Sequence, residues 1–210
     1  NHVTTPFCIR ADVNVLSNLD YVNRYNNKWV IEDTYNAYSF GENVFRHIHP
    51  DIPSVDKYYE LTEIYNHEEY DMKYIKTNTL NTTGMLLKDG TFHVWGFCPS
   101  YINGDNVFLS HIETIESISD IRDFYFTEYG GVVFLKNNGD VFVLGPNTNK
   151  SLGFDDETLD FNAPTKIDML SNVDNIFTNG SLFFATTAEE IEVGEEPDVM
   201  TITERKTYSW

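Results

Sequence analysis

The chain has 210 residues, with 33 acidic against 14 basic side chains and a formal net charge of −19. Polyphosphate binding needs basic residues to displace counterions, so general nucleic-acid binding and adhesion to anionic membranes are disfavoured. At 41% hydrophobic and 15% aromatic it is too apolar for a disordered acidic chain, and no apolar run is long enough for a membrane-spanning helix.

The chain opens on Asn1, as expected of a processed or truncated product, and no basic-then-apolar leader marks a signal peptide. A cytoplasmic or a virion location is compatible with that. Cys8 and Cys98 are expected to be buried free thiols rather than a disulfide framework.

Short runs of Tyr, Phe, Ile, Val and Thr, broken by Asn, Asp and Gly, predict strands throughout and no long helix. The first unit has a leading strand at Asn18–Val22. A hairpin follows from Trp29–Asp33 to Ala37–Gly41. A long connector, 42–70, comes next. In it His47 and His49, near Glu42 and Asp51, would place two ligands on one strand face; no third is identifiable, and a polar loop is the favoured reading. Tyr58, Tyr59 and Tyr65 stand among Glu60, Glu63, Glu68 and Glu69 in the same connector. Tyrosine-rich loops carry contact energy at low entropy cost, so these are interface candidates, weighed equally against an elaborated surface loop.

The second unit leads with Tyr70–Ile75 and continues in a hairpin from Met85–Leu87 through Asp89-Gly90 to Thr91–Gly96. Asp-Gly and Asn-Gly between apolar runs tolerate the positive φ of a tight turn. His93 is expected to be a satisfied blade residue. The third unit leads with Asp120–Phe124 and turns at Asn138-Gly139 between Phe134–Lys136 and Asp140–Gly145. Gly145–Ser151 superficially resembles a phosphate loop but lacks the glycine before Lys150 and a following helix, so it reads as a connector. Asp155-Asp156-Glu157 is an acidic cluster.

The fourth unit leads with Asn172–Ile176. Leu182–Thr187 is expected to form a hairpin with Glu190–Gly194; the alternative pairs 181–187 with 201–210 across a long acidic loop. Glu189, Glu190, Glu192, Glu195, Glu196 and Asp198 form a second acidic cluster. Paired carboxylates serve acid–base catalysis or calcium binding, yet solvated loops are the favoured reading, and a shared rim would make an acidic face for a basic partner. The sites of the Asn-x-Ser/Thr type at Asn81, Asn149 and Asn179 are expected by chance in so Asn-rich a chain. Trp29, Tyr38, Phe40, Phe92, Trp95, Phe142, Phe183 and Phe184 recur at equivalent positions and are expected in the packing between units.

The closing glycines Gly41, Gly96, Gly145 and Gly194 are spaced by 55, 49 and 49 residues. A unit of about 50 residues with three or four short strands is the signature of a propeller blade. The third unit adds Asn147, then Leu152-Gly153, then Ala163-Pro164-Thr165-Lys166-Ile167, then Asn172-Val173-Asp174-Asn175-Ile176. With Lys88-Asp89-Gly90 and Trp95-Gly96 of the second unit, this order resembles the regulator-of-chromosome-condensation repeat family over about residues 13–194. The resemblance implies a β-propeller, commonly of seven blades. It also implies protein-interaction roles and, for the founding member, nucleotide exchange on a small GTPase and chromatin binding, whose functional residues have no matches here.

The expected fold is therefore all-β. It is a β-propeller-like array of about four blades in one repeat domain, 1–210, divided near 1–52, 53–101, 102–153 and 154–210. It is an open arc, a small ring, or part of a seven-bladed ring. Unclosed edges invite pairing with other chains. No nucleophile, metal set or cofactor motif is found, so the expected function is a non-enzymatic interaction or structural module, without cofactor. Its partners would be other protein chains, such as neighbours in a phage virion. Nucleotide exchange on a small GTPase is the alternative, and a hydrolase using Asp155 and Asp156 a third class. The contact residues expected are Tyr58, Tyr59, Tyr65, Glu68, Glu69, Asp155, Asp156, Glu195 and Glu196.

Overall fold

The structure, a computed structural model, describes residues 19–25, 28–33, 36–41, 58–66, 71–78, 80–102, 104–156, 160–178, 182–193 and 200–210, with the backbone alone over the first four segments. Four antiparallel sheets follow in chain order. The first holds β1 (Leu19–Tyr25), β2 (Lys28–Asp33), β3 (Asn36–Gly41) and β4 (Tyr58–Asn66). The second holds β5 (Met72–Thr77), β6 (Thr82–Leu87), β7 (Phe92–Ile102) and β8 (Asp105–Thr114). The third holds β9 (Ile121–Phe126), β10 (Val132–Lys136), β11 (Val141–Pro146) and β12 (Asp160–Lys166). The fourth holds β13 (Val173–Thr178), β14 (Phe183–Val193) and β15 (Met200–Ser209). The only helix among the described residues is one 3₁₀ turn, Thr148–Lys150.

The expected leading strands and the first three hairpins are present. The sheets end later than the divisions at 52, 101 and 153, because β4, β8 and β12 follow the closing glycine and pair back as outer strands. The fourth hairpin differs from the expectation. Leu182–Thr187 and Glu190–Val193 do not pair with each other. Phe183–Val193 is a single strand, and it pairs with Met200–Ser209 from Phe184↔Ser209 to Val193↔Met200. The pairing with 201–210 is thus the correct one. Thr-Ala-Glu-Glu reads as a turn by polarity, but a hairpin exposed on both sides needs no apolar residue there.

Each leading strand carries a β-bulge at the same place. The register slips between Leu19 and Tyr21, Met72 and Tyr74, and Val173 and Asn175, and opposite Ile121 and Asp123. An extra residue in a strand shifts the side-chain alternation, so residues three apart come to one face. That explains Ile121 with Phe124 and Val173 with Ile176, all buried. The residue before each strand is Asn18, Asp71, Asp120 or Asn172. Asp120 (φ 61°) and Asn172 (φ 53°) have left-handed backbone, which Asx residues tolerate best.

The chain divides into two compact units, residues 1–88, 93–97 and 108–114, and residues 89–92, 98–107 and 115–210. In the first, β5 lies against β1 and β2. Asn78 closes the turn into β6, accepting from Leu80 N and Thr82 N (both 2.9 Å) and donating to Thr82 Oγ1 (3.0 Å). In the second unit, Phe92 packs edge-on against Phe124 and Phe134, at 4.8 and 5.0 Å between centroids. A larger cluster joins the third and fourth sheets: Val133, Leu135, Val141 and Val143 meet Val173, Ile176, Phe183 and Ala185. Burying each Val, Leu, Ile or Phe side chain among them is worth ~1.5–3 kcal/mol. Ile121 N donates to Gly90 O (3.1 Å) and Val173 N to Gly139 O (3.0 Å), so each new leading strand is hydrogen-bonded to the preceding hairpin turn.

Candidate interaction surfaces

The residues with potential chemistry are mostly committed to packing. His93 is buried, with Nδ1 3.0 Å from Thr114 Oγ1, as expected of a satisfied blade residue. Tyr101 is buried and donates its hydroxyl to Gly130 O at 2.5 Å. Burial first, then the neighbouring Cys98, hold its phenol well above the ordinary range. Cys98 is a buried free thiol. Among the described residues no group of three or more His, Cys, Asp and Glu is placed to hold a metal ion. Cys8, His47, His49, Glu42 and Asp51 lie outside the described residues.

Gly145–Ser151 is a connector, as expected, and Asn147 organises it. The Asn147 amide donates to Phe154 O (2.9 Å) and Asp156 O (2.7 Å), while its carbonyl accepts from Leu152 N (2.8 Å). The loop so held presents Asp155 and Asp156 to solvent, with Lys150 3.6 Å from Asp155. Of the second acidic cluster, Glu189 and Glu190 are described, and they lie away from it. Gly153 abuts the Trp210 ring, and Trp210 pairs with Phe183 through both backbone groups. Glu189 and Glu190 stand about 20 Å farther along β14 at a strand's rise, exposed, with Lys206 3.4 Å from Glu189. Glu195 and Glu196 lie outside the described residues, as do Glu68 and Glu69.

Tyr58, Tyr59 and Tyr65 do not sit in a loop. They belong to β4, the terminal strand of the first sheet, where Gly41 pairs with Tyr58 and Ala37 with Tyr65. The connector reading is corrected to that extent: a tyrosine- and glutamate-rich run of alternating residues makes an outer strand.

Of the recurrent aromatics, Phe92, Trp95 and Phe183 are fully buried, whereas Phe142 and Phe184 are half-buried. The exception that matters is on the fourth sheet. Phe177 and Phe184, direct partners across β13 and β14, stack with centroids 5.0 Å apart and 10° between planes. Phe177 is 41% exposed. β6 and β10 are buried on both faces, while β14 alternates buried and half-buried from Phe183 to Ala188. Sequence reading missed this face.

No family model and no curated protein matches this sequence. Solved structures do match. Prp20p from Saccharomyces cerevisiae is similar at a TM-score of 0.60 and 13% identity, over 71% of this chain and 38% of that one. Human WBSCR16 is similar at 0.62 and 15%, over 80% and 44%. Yeast RCC1 (Prp20), in its complex with Kap60, is similar at 0.60 and 17%, over 80% and 41%. The fold is an RCC1-like propeller fold. The chain spans about two fifths of the length of these structures. Its four sheets are blades of a partial β-propeller, and the leading strand with its bulge is the element by which one blade meets the last. No helix among the described residues is long and apolar enough to cross a membrane.

Proposed function

We propose that this chain is a non-enzymatic, protein-binding propeller module whose partners are basic protein surfaces. The observation that carries this is a repeat scaffold with His93, Tyr101 and Cys98 packed inside while Asp155 and Asp156 project from a loop that Asn147 holds rigid. A preformed acidic loop loses little entropy on binding, and a net charge of −19 steers cationic partners toward it. The solved structure of Prp20p is described with its binding to Gsp1p and histones, which favours protein partners for the fold without transferring either one. Core histones serve as a basic probe. Binding that weakens steeply with salt, and several-fold on joint Asp155→Asn and Asp156→Asn replacement, is expected; absence of binding at about 100 µM removes the reading.

A second reading is favoured by the Gsp1p binding of Prp20p: this chain would accelerate nucleotide release from a small GTPase. Release of a fluorescent nucleotide from a panel of GTPases separates the two readings. The interaction module leaves the rates unchanged, and an exchange factor raises at least one by an order of magnitude or more. Membership of a large assembly, such as a virion, is the finer form of the first reading and rests on composition. Mass spectrometry that finds the polypeptide only as a free species removes that form.

A further inference from the structure

Each sheet ends in a strand with one neighbour in that sheet: β4, β8, β12 and β15. The outward row of N–H and C=O groups on such a strand is a template for another chain unless something guards it. Three of the four are guarded. β4 carries Glu60 and Glu63 and two register slips. β12 carries Pro164, Lys166 and one slip. β15 carries Glu204, Arg205 and Lys206 in a row. β8 differs. From Asn106 to Ile112 it has no proline, no glycine and no Lys, Arg, Asp or Glu, and four of those residues are Val107, Phe108, Leu109 and Ile112. A run of that composition pairs readily with another extended chain.

The stretch from Phe108 to Thr114 lies in the first compact unit and is sorted by face. Phe108, Ser110, Ile112 and Thr114 alternate onto one side, where Thr114 reaches His93 and Phe108 meets Phe97, with 4.9 Å between ring centroids. Phe97 gives that ring a fixed base. Its N–H donates to Asn81 O at 2.9 Å, and its carbonyl accepts from Thr82 Oγ1. Phe108 itself is 59% exposed. Leu109, His111 and Glu113 take the opposite side. Leu109 is buried, and His111 and Glu113 lie 3.0 Å apart at the surface.

We propose that the Phe108–Thr114 edge of β8 takes up an extended segment of a partner protein as an added strand. The segment carries apolar residues on the Phe108–Ile112 side and basic residues on the His111–Glu113 side. The backbone row of an outer strand calls for an extended chain, and alternate side chains then select its sequence. Phe108 on its aromatic base is the apolar anchor, while Glu113 and the net charge of −19 favour cations. A second copy of this chain fits worse. Laying β8 antiparallel on itself about Leu109 sets Asp105 opposite Glu113 twice, and each copy brings −19. The inference rests on reading the chain as an interaction module, and it adds a surface built from residues other than those of the 147–156 loop.

Fluorescence anisotropy of the 210-residue chain with a labelled peptide of about eight alternating valines and lysines tests the idea, since that length covers Phe108–Thr114. Two further peptides carry backbone N-methyl groups, one on every valine and the other on every lysine. Alternate N–H groups of an added strand face its neighbour, so one methylated form should bind at least tenfold more weakly than the other. Phe108→Lys, at an exposed position, should weaken the unmethylated peptide at least tenfold with the melting temperature preserved. Joint Asp155→Asn and Asp156→Asn replacement should leave the peptide's affinity unchanged. Absence of peptide binding at about 1 mM overturns the proposal. Equal binding of the two methylated forms also overturns it, because no backbone ladder then holds the peptide. Binding that follows Asp155 and Asp156 rather than Phe108 overturns it and leaves the acidic loop as the surface. Peptide binding by a chain that ignores histones does the reverse, keeping the β8 edge and removing the loop. Sedimentation velocity that finds a dimer broken by Phe108→Lys makes the occupant a second copy and overturns the choice of partner.

Discussion

Gly90 and Gly139 meet two demands at once. Each has positive φ, 87° and 82°, in its hairpin turn. A Cβ on Gly139 would also lie 2.9 Å from the backbone of Asn172 and Val173, and one on Gly90 2.8 Å from Ile121 N. The turn is therefore tight for its own sake and bare so that the next blade's backbone can reach its carbonyl. Gly104 separates the two effects: its φ is 79°, but the nearest atom to an added Cβ is the Asn162 side chain at 3.4 Å. Gly104→Ala should cost only the strain of the left-handed backbone, about 1–2 kcal/mol. Gly139→Ala should cost that plus the displaced junction, well above 2 kcal/mol. Urea midpoints read at constant m-value compare them, and equal losses would refute the junction role. Tyr101 gives a second prediction. Its phenol is raised well above its ordinary value, so the stability tied to the neutral form is complete below about pH 10 and drains away as pH climbs through the folded value. Tyr101→Phe should lose about 1–3 kcal/mol at neutral pH, because Gly130 O is left without that donor. It should also flatten the alkaline fall in melting temperature, and an unchanged alkaline profile would contradict the assignment.

Among the elements, hairpins were legible wherever turn chemistry was explicit. Asp89 Oδ1 accepts from Thr91 N at 2.8 Å and Asn138 Oδ1 from Asp140 N at 3.0 Å, the local bonds that make Asp-Gly and Asn-Gly turn signals. The leading strands were visible as interleaved acidic and apolar residues, but the reason for that interleaving, a bulge, is a backbone property with no residue signature of its own. Outer strands were the least legible. β4 and β12 each have one neighbour in their sheets, so their sequences answer to pairing on one edge, and β12 gives the core only Phe161. β12 is tied in by polar contact as well: Lys166 lies 2.7 Å from Asp140, and its hydrogen bond, ahead of any other cause, lowers the Asp140 carboxyl from its ordinary value. β14 and β15 hid for the same reason, both sides of their outer half being solvated. The 147–156 loop yields the prediction at this scale. Three hydrogen bonds from one side chain close it, so Asn147→Ala should free the loop without unfolding the blade. Trypsin should then cut after Lys150 about tenfold faster, the factor that ~1.4 kcal/mol of lost local closure supplies. An unaltered cleavage rate would mean that the ladder of β11 and β12 alone holds the loop.

At the level of the whole molecule, what sequence could not convey is which blade faces are covered. Phe177 and Tyr125 occupy equivalent strand positions and look alike as residues; one is exposed and the other packed, because cover depends on whether another blade lies on top. The acidic loop, by contrast, was legible directly, since charged side chains stay in water unless paired. The same charge excess governs global stability. Thirty-three carboxylates against fourteen cations repel one another in the compact state more than in the expanded chain. Acting against this are ion pairs such as Lys88–Asp71 at 2.7 Å and Lys206–Glu204 at 3.3 Å, both largely exposed. Exposed pairs contribute ~0–1 kcal/mol each and are themselves screened, so their loss in salt is small. Repulsion is summed over the whole surface and should dominate. Raising sodium chloride from about 10 to about 300 mM shortens the screening length from roughly 30 Å to below 8 Å and should raise the melting temperature by several degrees. The measurement belongs at low micromolar protein, so that any gain comes from the single chain. A melting temperature that falls with salt would show that the few ion pairs, not the net charge, set the balance.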